Sequence, residues 1–541
     1  MAKTRFAPAT ILIVLSALLC FPACSRRETP VDEGIRTGTL LIGNSAEPAD
    51  LDPHVVDAYT DMIVLAALYE GLTVLDERTS QARPGVAERW ESTADGLTWT
   101  FHLRGDARWS NGDAVTARDF AFSFQRLLHP SFGSVGSYLL WPVRNAEAYT
   151  KGTITDFGAV GVEVVDDRTL RLRLAHPAPY LPALAAHAAW LPLHRATLEK
   201  FDAVAKRGTA WTRPGNLVGN GPFQLVEWAP NSRLVVAKNP RHWDAARNRL
   251  ERVVFFPIEK ADVEERNFRA GQLHLTFDLP PSRVAAHRAA SPSPLRIDPL
   301  LQVMYMNFNV ARPPLDDARV RRALSLAIDR EAIARAVFQG TRAAAGSFTP
   351  PDCGEYTARA RVTADFGAAR RLLAEAGYPE GRGLPAFPVQ VQNDSNYPRV
   401  MEAIQAMWQR ELGVRSSIEP FEQKTWLQNQ QSKRHTIGLM GWTGDFADPR
   451  TFLGILASDN GNNWTNWSHR GYDDLLARAD RTADTRGRLE LFQEAEALLL
   501  TESPVAPIVF GARTYLQHPA VRNWDPSPLG LHRFQRVELR P

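Results

Sequence analysis

Phe387-Pro-Val-Gln-Val-Gln392, Val400 to Leu412, Val414 to Ile418 and Thr436-Ile-Gly-Leu-Met-Gly-Trp442 follow one another along the chain, and their alternation decides the fold. The first, third and fourth are short apolar runs of strand length, whereas the second carries apolar residues at helical spacing. Strands alternating with helices are the signature of an α/β lobe. Working outward, Val303-Met-Tyr-Met-Asn-Phe308 and Val253-Val-Phe-Phe256 read as strands. Asp317 to Gln339 reads as one long helical segment with Val320, Ala323, Leu324, Ala327 and Ile328 on a shared face, and Ala368 to Ala376 as a helix ending at Gly377. Nearer the N-terminus, Thr39-Leu-Leu-Ile-Gly-Asn44 is a strand signal, Glu47 to His54 a turn-rich loop, and Met62 to Tyr69 a helix stopping at Glu70-Gly71. Leu97, Trp99, Phe101 and Leu103 alternate with polar residues, as do Leu170, Leu172 and Leu174, so both segments belong to a sheet with one wet face. Asp119 to Leu128 between them is an amphipathic helix. There is no internal repeat, and two or three compact units with the chain passing between them more than once fit a length of 541 residues.

Lys3 and Arg5 precede the apolar run Ile11 to Leu19, which ends at Phe21-Pro-Ala-Cys24-Ser25. The run is too short for a bilayer-spanning helix, which needs about 20 apolar residues. A positive flank, a short apolar core and a small residue before a cysteine read as a lipoprotein export signal. Residues 1–23 would be removed, Cys24 lipidated, and residues 24–38, polar from Ser25 to Gly34, would form a tether. Cys20 leaves with the signal, so Cys353 has no partner for an intrachain disulfide.

A composition of 44% hydrophobic and 23% charged residues is that of an ordinary globular protein. Without Lys3 and Arg5 the net charge falls to about +1, which gives no basis for a nucleic-acid partner. The 13 His are scattered. There is no His-Glu-x-x-His pair, no cysteine cluster, no phosphate-cradling loop, no Gly-x-Ser-x-Gly elbow and no Ser followed three residues later by Lys. Neither an enzyme nor a metal or other cofactor is expected. What recurs is Trp, fourteen in all, most densely near Gly441-Trp-Thr-Gly-Asp-Phe-Ala-Asp-Pro449 and Asn460 to Trp467. The first of these follows a strand of the α/β lobe, so Asp445 and Asp448 sit at a carboxyl end of the sheet, where such folds bind ligands. The alternative is that Asp448-Pro449 caps the next helix and that Trp442 is core.

Leu51-Asp-Pro-His54, Leu68-Tyr-Glu-Gly-Leu72, Thr98 to Arg104, Trp109 to Phe120, Gly219-Asn-Gly-Pro-Phe223 with Lys238 to Trp243, and Val320 to Asp329 recur in this order over nearly the whole mature chain. Together they resemble the oligopeptide- and dipeptide-binding subunits of peptide ABC importers, the family 5 extracellular solute-binding proteins. The resemblance implies a type II, cluster C-like periplasmic binding protein: two α/β lobes, an extra domain inserted in the first, and ligand enclosed between lobes. It places lobe I at 39–70, 195–296 and 510–541, the inserted domain at 71–194 and lobe II at 297–509, with Val505 to Phe510 returning to lobe I. It also implies an extended peptide recognised through its main chain. Asp445 of the Gly441-Trp-Thr-Gly-Asp-Phe446 motif would hold the α-amine, flanked by Gly441, Trp442, Thr443 and Phe446, with Val56, Asp57 and Ala58 on the facing side. The carboxylate end departs from the best-studied relatives. Gln430 and Pro398 stand where basic or His groups are expected, Arg399 is the nearby cation, and Gln423 replaces an indole that Trp426 could supply a turn later. The implied partners are short peptides, an ABC permease with its ATPase, and a membrane through Cys24, for a monomeric extracytoplasmic protein. Ser25, in place of Asp, points to the outer membrane if the host has two. The rival readings are a non-peptide solute, such as an oligosaccharide or metal chelate, and a peptide sensor or chaperone that does not transport.

Overall fold

Three sheets carry the alternation into space. The computed structural model describes residues 28–56, 58–393 and 396–541. Cys24, with the rest of the export signal, and Asp57 lie outside the described residues. In the first sheet Thr39–Gly43 pairs in parallel with Arg252–Phe256, followed antiparallel by Arg233–Lys238 and Phe223–Ala229. Leu40, Ile42, Val236, Val253 and Phe255 face a core shared with the Tyr59–Leu68 helix. Leu41, Val235 and Val254, one residue out of phase, form a small cluster on the other face, as a period of two requires.

The second sheet runs in the order Ala87–Ser92, Thr98–Leu103, Thr169–Arg173, Val162–Asp166, antiparallel throughout. Trp99, Phe101, Leu103, Leu170 and Leu172 point to one side and bury against Phe120, Phe124 and Leu127 of the Ala117–Leu128 helix. The Asp119 carboxylate accepts from the Thr116 backbone N–H and hydroxyl and so starts that helix.

The third sheet is ordered Ser416–Phe421, Phe387–Gln392, Ile437–Thr443, Leu295–Phe308, Val505–Leu516. Its first three strands are parallel and the last two antiparallel. Leu295–Phe308 and Val505–Leu516 are long enough to serve as the two crossing connections. Their inner halves lie in this sheet, while Leu516 exchanges hydrogen bonds with Thr276 of the first lobe. Val505 to Phe510, expected to carry the chain back to lobe I, is the part of this crossing that lies in the third sheet. Val505, Ala506, Pro507, Val509 and Phe510 all pair with the Leu295–Phe308 strand, and farther along Arg513 donates to Phe277 and Leu516 to Thr276.

Two readings change. The segment expected as a tether contains a helix: Pro30–Thr37 is helical with Thr29 and Asp32 in a reciprocal capping box and Pro at its first position. Val31 is buried, and its N–H donates to Gly271. The single helix expected over Asp317 to Gln339 is two, Ala318–Leu326 and Arg330–Ala336, each with an Asp, 317 and 329, accepting a backbone N–H at its start. The buried Arg330 guanidinium holds the break by donating to the carbonyls of Ser325, Ile328 and Pro507. The shared apolar face is as the spacing predicts, with Val320, Ala323, Leu324, Ala327 and Ile328 all in the core. No helix among the described residues is long and apolar enough to cross a membrane.

Candidate functional site

The Ile437–Thr443 strand has two unlike edges. On one side all seven residues pair with Leu295–Phe308, from Ile437 opposite Phe308 to Thr443 opposite Gln302. On the other, Phe387–Gln392 pairs only with Ile437 and Gly438 and then stays with Ser416–Phe421. From Leu439 to Thr443 that edge pairs with no strand among the described residues, which leaves main-chain donors and acceptors for an added strand. Gly441 lies on this stretch, and a Cβ there would come 3.1 Å from the Tyr397 hydroxyl. Arg399, exposed, follows two residues after Tyr397 on the Tyr397–Leu412 helix.

The strand ends in a loop that is tied down at several points. The Gly444 N–H donates to Leu301 (2.8 Å), the Gln302 amide to the Thr443 hydroxyl (2.9 Å), and the Trp442 indole to the Thr451 carbonyl (2.8 Å). Trp442 is thus only half-buried, a brace for the loop. The Asp445 carboxylate accepts from Tyr138, 307 residues earlier (3.2 Å), and from Thr451 (3.3 Å), and its own N–H donates to the Thr451 hydroxyl (3.1 Å). Asp445 keeps some solvent-accessible surface yet sits deep between lobes. Burial pushes its carboxyl up to about 6 against the opposing pull of the two hydroxyls. No basic side chain pairs with it among the described residues.

Asp448 behaves differently. It accepts from the Arg450 N–H (2.9 Å) ahead of the short Arg450–Leu453 helix, whose cap position is Pro449, but both its oxygens also receive the buried Arg488 guanidinium, at 2.6 and 2.8 Å. Arg450 in turn pairs with Asp480. Phe446, between the two carboxylates, is buried, and its ring stacks on Tyr180 of the inserted domain with centroids 4.6 Å apart. A cavity of about 1080 Å³ lies beyond this stack, walled by Tyr180, Ala447–Pro449 and the crossing strands, and Asp445 does not line it. Charge and hydrogen bonding, rather than volume, locate the candidate site.

Other residues singled out from sequence fall elsewhere. Gln430 is fully buried in an amide ladder, accepting from Asn307 and donating to Gln390 (both 3.3 Å), so it braces the sheet from within. Trp426 is buried beside Val303, Tyr305 and Met440, and its indole N–H meets no acceptor. Val56 is buried and Ala58 exposed at the ends of the facing loop. Tyr138, Thr451, Tyr180 and Arg488 were missed. Only Thr451 lies close enough in sequence to Asp445 for local reasoning to have found it.

These features meet a family pattern. Residues 81–464 match the model for the bacterial extracellular solute-binding proteins, family 5. The chain belongs to this family. It is 32% identical over 526 residues, 94% of each chain, to the periplasmic oligopeptide-binding protein OppA of Salmonella typhimurium. It is also 32% identical over 486 residues, 88% of this chain and 89% of the other, to the probable deoxycholate-binding periplasmic protein YgiS of Escherichia coli. The solved structure of the Escherichia coli murein tripeptide binding protein MppA superposes with a TM-score of 0.81 at 30% identity, covering 93% of this chain and 98% of that one. The fold is that of the two-lobe, type II periplasmic binding proteins.

Proposed function

We propose that this family 5 protein is the extracytoplasmic receptor of an ABC importer and captures short peptides by their main chain and free α-amine. The observation that carries the reading is Asp445: a carboxylate enclosed between lobes, held by two hydroxyls and raised by burial to about 6. An ammonium with three donors relieves that burial, and it would itself be costly to enclose without a counterion. The unpaired edge from Leu439 to Thr443 supplies sequence-independent pairing beside it, with Gly441, Trp442 and Thr443 contributing main-chain groups. Arg399, exposed two residues after Tyr397, is assigned to the ligand carboxylate. The names of OppA and MppA favour peptides; that of YgiS favours a second reading, an amphiphilic non-peptide solute in the same cleft. Mass spectrometry of ligand released from the purified protein by mild unfolding separates the two. Recovery of peptides with free amines supports the first reading, and recovery of a non-peptide solute overturns it.

The domain scheme proposed with this function is lobe I, an inserted domain over 71–194 and lobe II, with the Pro30–Thr37 helix assigned to lobe I. The mature chain acts as a monomer anchored through lipid on Cys24. Cys24→Ser is then expected to free the protein from membranes without changing its unfolding; unchanged membrane fractionation contradicts the anchor.

A further inference from the structure

We propose that Tyr180 is a positioning residue for ligand capture, one that holds the lobes in the arrangement enclosing Asp445 by resting on a platform built by the second lobe. Phe446 belongs to the second-lobe loop, yet its ring joins the buried core of the inserted domain and meets Tyr180 there. The two rings are nearly parallel, at 8°. The Tyr180 ring also lies 5.4 Å from the Arg488 guanidinium carbon, which sits 4.7 Å from the Phe492 ring on its own helix. Tyr180 therefore lands on two second-lobe groups at once, an aromatic face and a cation, and both combinations attract beyond their buried area.

Each side of this contact is rigid. Tyr180 stands between Pro179 and the short Leu181–Leu184 helix, which has a second Pro at its start. Arg488 is fixed by its two bonds to Asp448, and Phe446 by the loop that Thr451 and Leu301 hold. Because Phe446 adjoins Asp445, parting the stack moves the anchor, and it also opens the anchor to the 1080 Å³ cavity that Tyr180 helps to wall. A contact made only when the lobes meet raises the fraction of molecules competent to enclose ligand, and apparent affinity scales with that fraction. Nothing in this contact depends on what the ligand is; only its effect on peptide release rests on the function proposed above.

The experiment compares wild type, Tyr180→Ala, Tyr180→Phe and Phe446→Leu by small-angle X-ray scattering without ligand and by stopped-flow dissociation of a free-amine tripeptide. Tyr180→Ala and Phe446→Leu are expected to have a larger radius of gyration and about tenfold faster release, whereas Tyr180→Phe, which keeps the ring, matches wild type. Phe446→Leu tests the contact from the second lobe, so a folding defect of Tyr180→Ala in the inserted domain does not decide the result. The double variant should release no faster than either single one, since both remove the same contact. Unchanged scattering of both Tyr180→Ala and Phe446→Leu overturns the proposal. If the scattering shifts while the wild type binds no peptide, the latch stands and the peptide reading falls.

Discussion

Asp445 and Asp448 lie on one loop, three residues apart, and differ in what their carboxylates bind. Asp448 has a dedicated guanidinium, Arg488, buried with it and bonded to both oxygens. Asp445 has two neutral hydroxyls and a carboxyl raised to about 6. A buried carboxylate with its own cation is part of the scaffold. One ringed by hydroxyls is a site at which a visiting cation gains most, since binding restores the ionised form that burial opposes.

The largest expected effect is on binding. Asp445→Asn keeps the shape but leaves an enclosed ammonium without a counterion, a loss of about 3 to 5 kcal/mol in peptide affinity by calorimetry. The same variant should unfold at higher temperature at neutral pH. The folded-state pKa stands above the ordinary value of 3.8, so ionisation opposes folding by an amount that grows as pH rises from about 3.8 to about 6 and stays constant above that. Removing it returns on the order of 2 kcal/mol.

Asp448→Asn should invert this pattern. As a helix cap alone the residue would be worth about 1 kcal/mol. With Arg488 left buried and half-paired, the expected loss in unfolding free energy is about 3 kcal/mol, and Asp448→Leu combined with Arg488→Met should recover part of it. A denaturant melt showing a loss near 1 kcal/mol would remove the contrast between the two carboxylates.

The pH dependence is a milder test. Protonation of Asp445 competes with the ligand's ammonium, so wild-type affinity should be highest near pH 7, fall by up to about tenfold per unit below 6, and fall again above about 8 as the ligand's amine loses its proton, while the Asp445→Asn protein shows a flat titration on the acid side. Smallest is Tyr138→Phe, which deletes one hydrogen bond to the carboxylate and should weaken binding by about 1 kcal/mol. Because that bond lowers the Asp445 pKa, its loss should move the midpoint of the pH profile upward.

Much of the fold was legible because it depends on local periodicity. Phe387–Gln392 coincides with its apolar run, and the alternation of Thr98–Leu103 gives its buried face. Boundaries failed where a polar segment folds for local reasons: the capping box at Thr29 turns part of an expected tether into a helix, and Asp329 restarts a helix in a run that reads as continuous. At the site, Asp445 stood out as a carboxylate at a strand end. What distinguishes it from Asp448 did not, because Arg488 follows 40 residues later and Tyr138 lies 307 residues before Asp445. Gln430 and Trp426 show the converse: polar and aromatic residues near a binding segment whose side chains are spent on the interior of the lobe.

The central claim is that Asp445 is the partner of the ligand's α-ammonium, and one calorimetric cycle tests it: wild type and Asp445→Asn, each titrated with a tripeptide bearing either a free or an acetylated amine. Acetylation should weaken wild type by two or more orders of magnitude, about 3 kcal/mol, and the Asp445→Asn protein hardly at all, since the interaction it removes is already gone. Equal losses on acetylation in both proteins would show that the amine is held elsewhere.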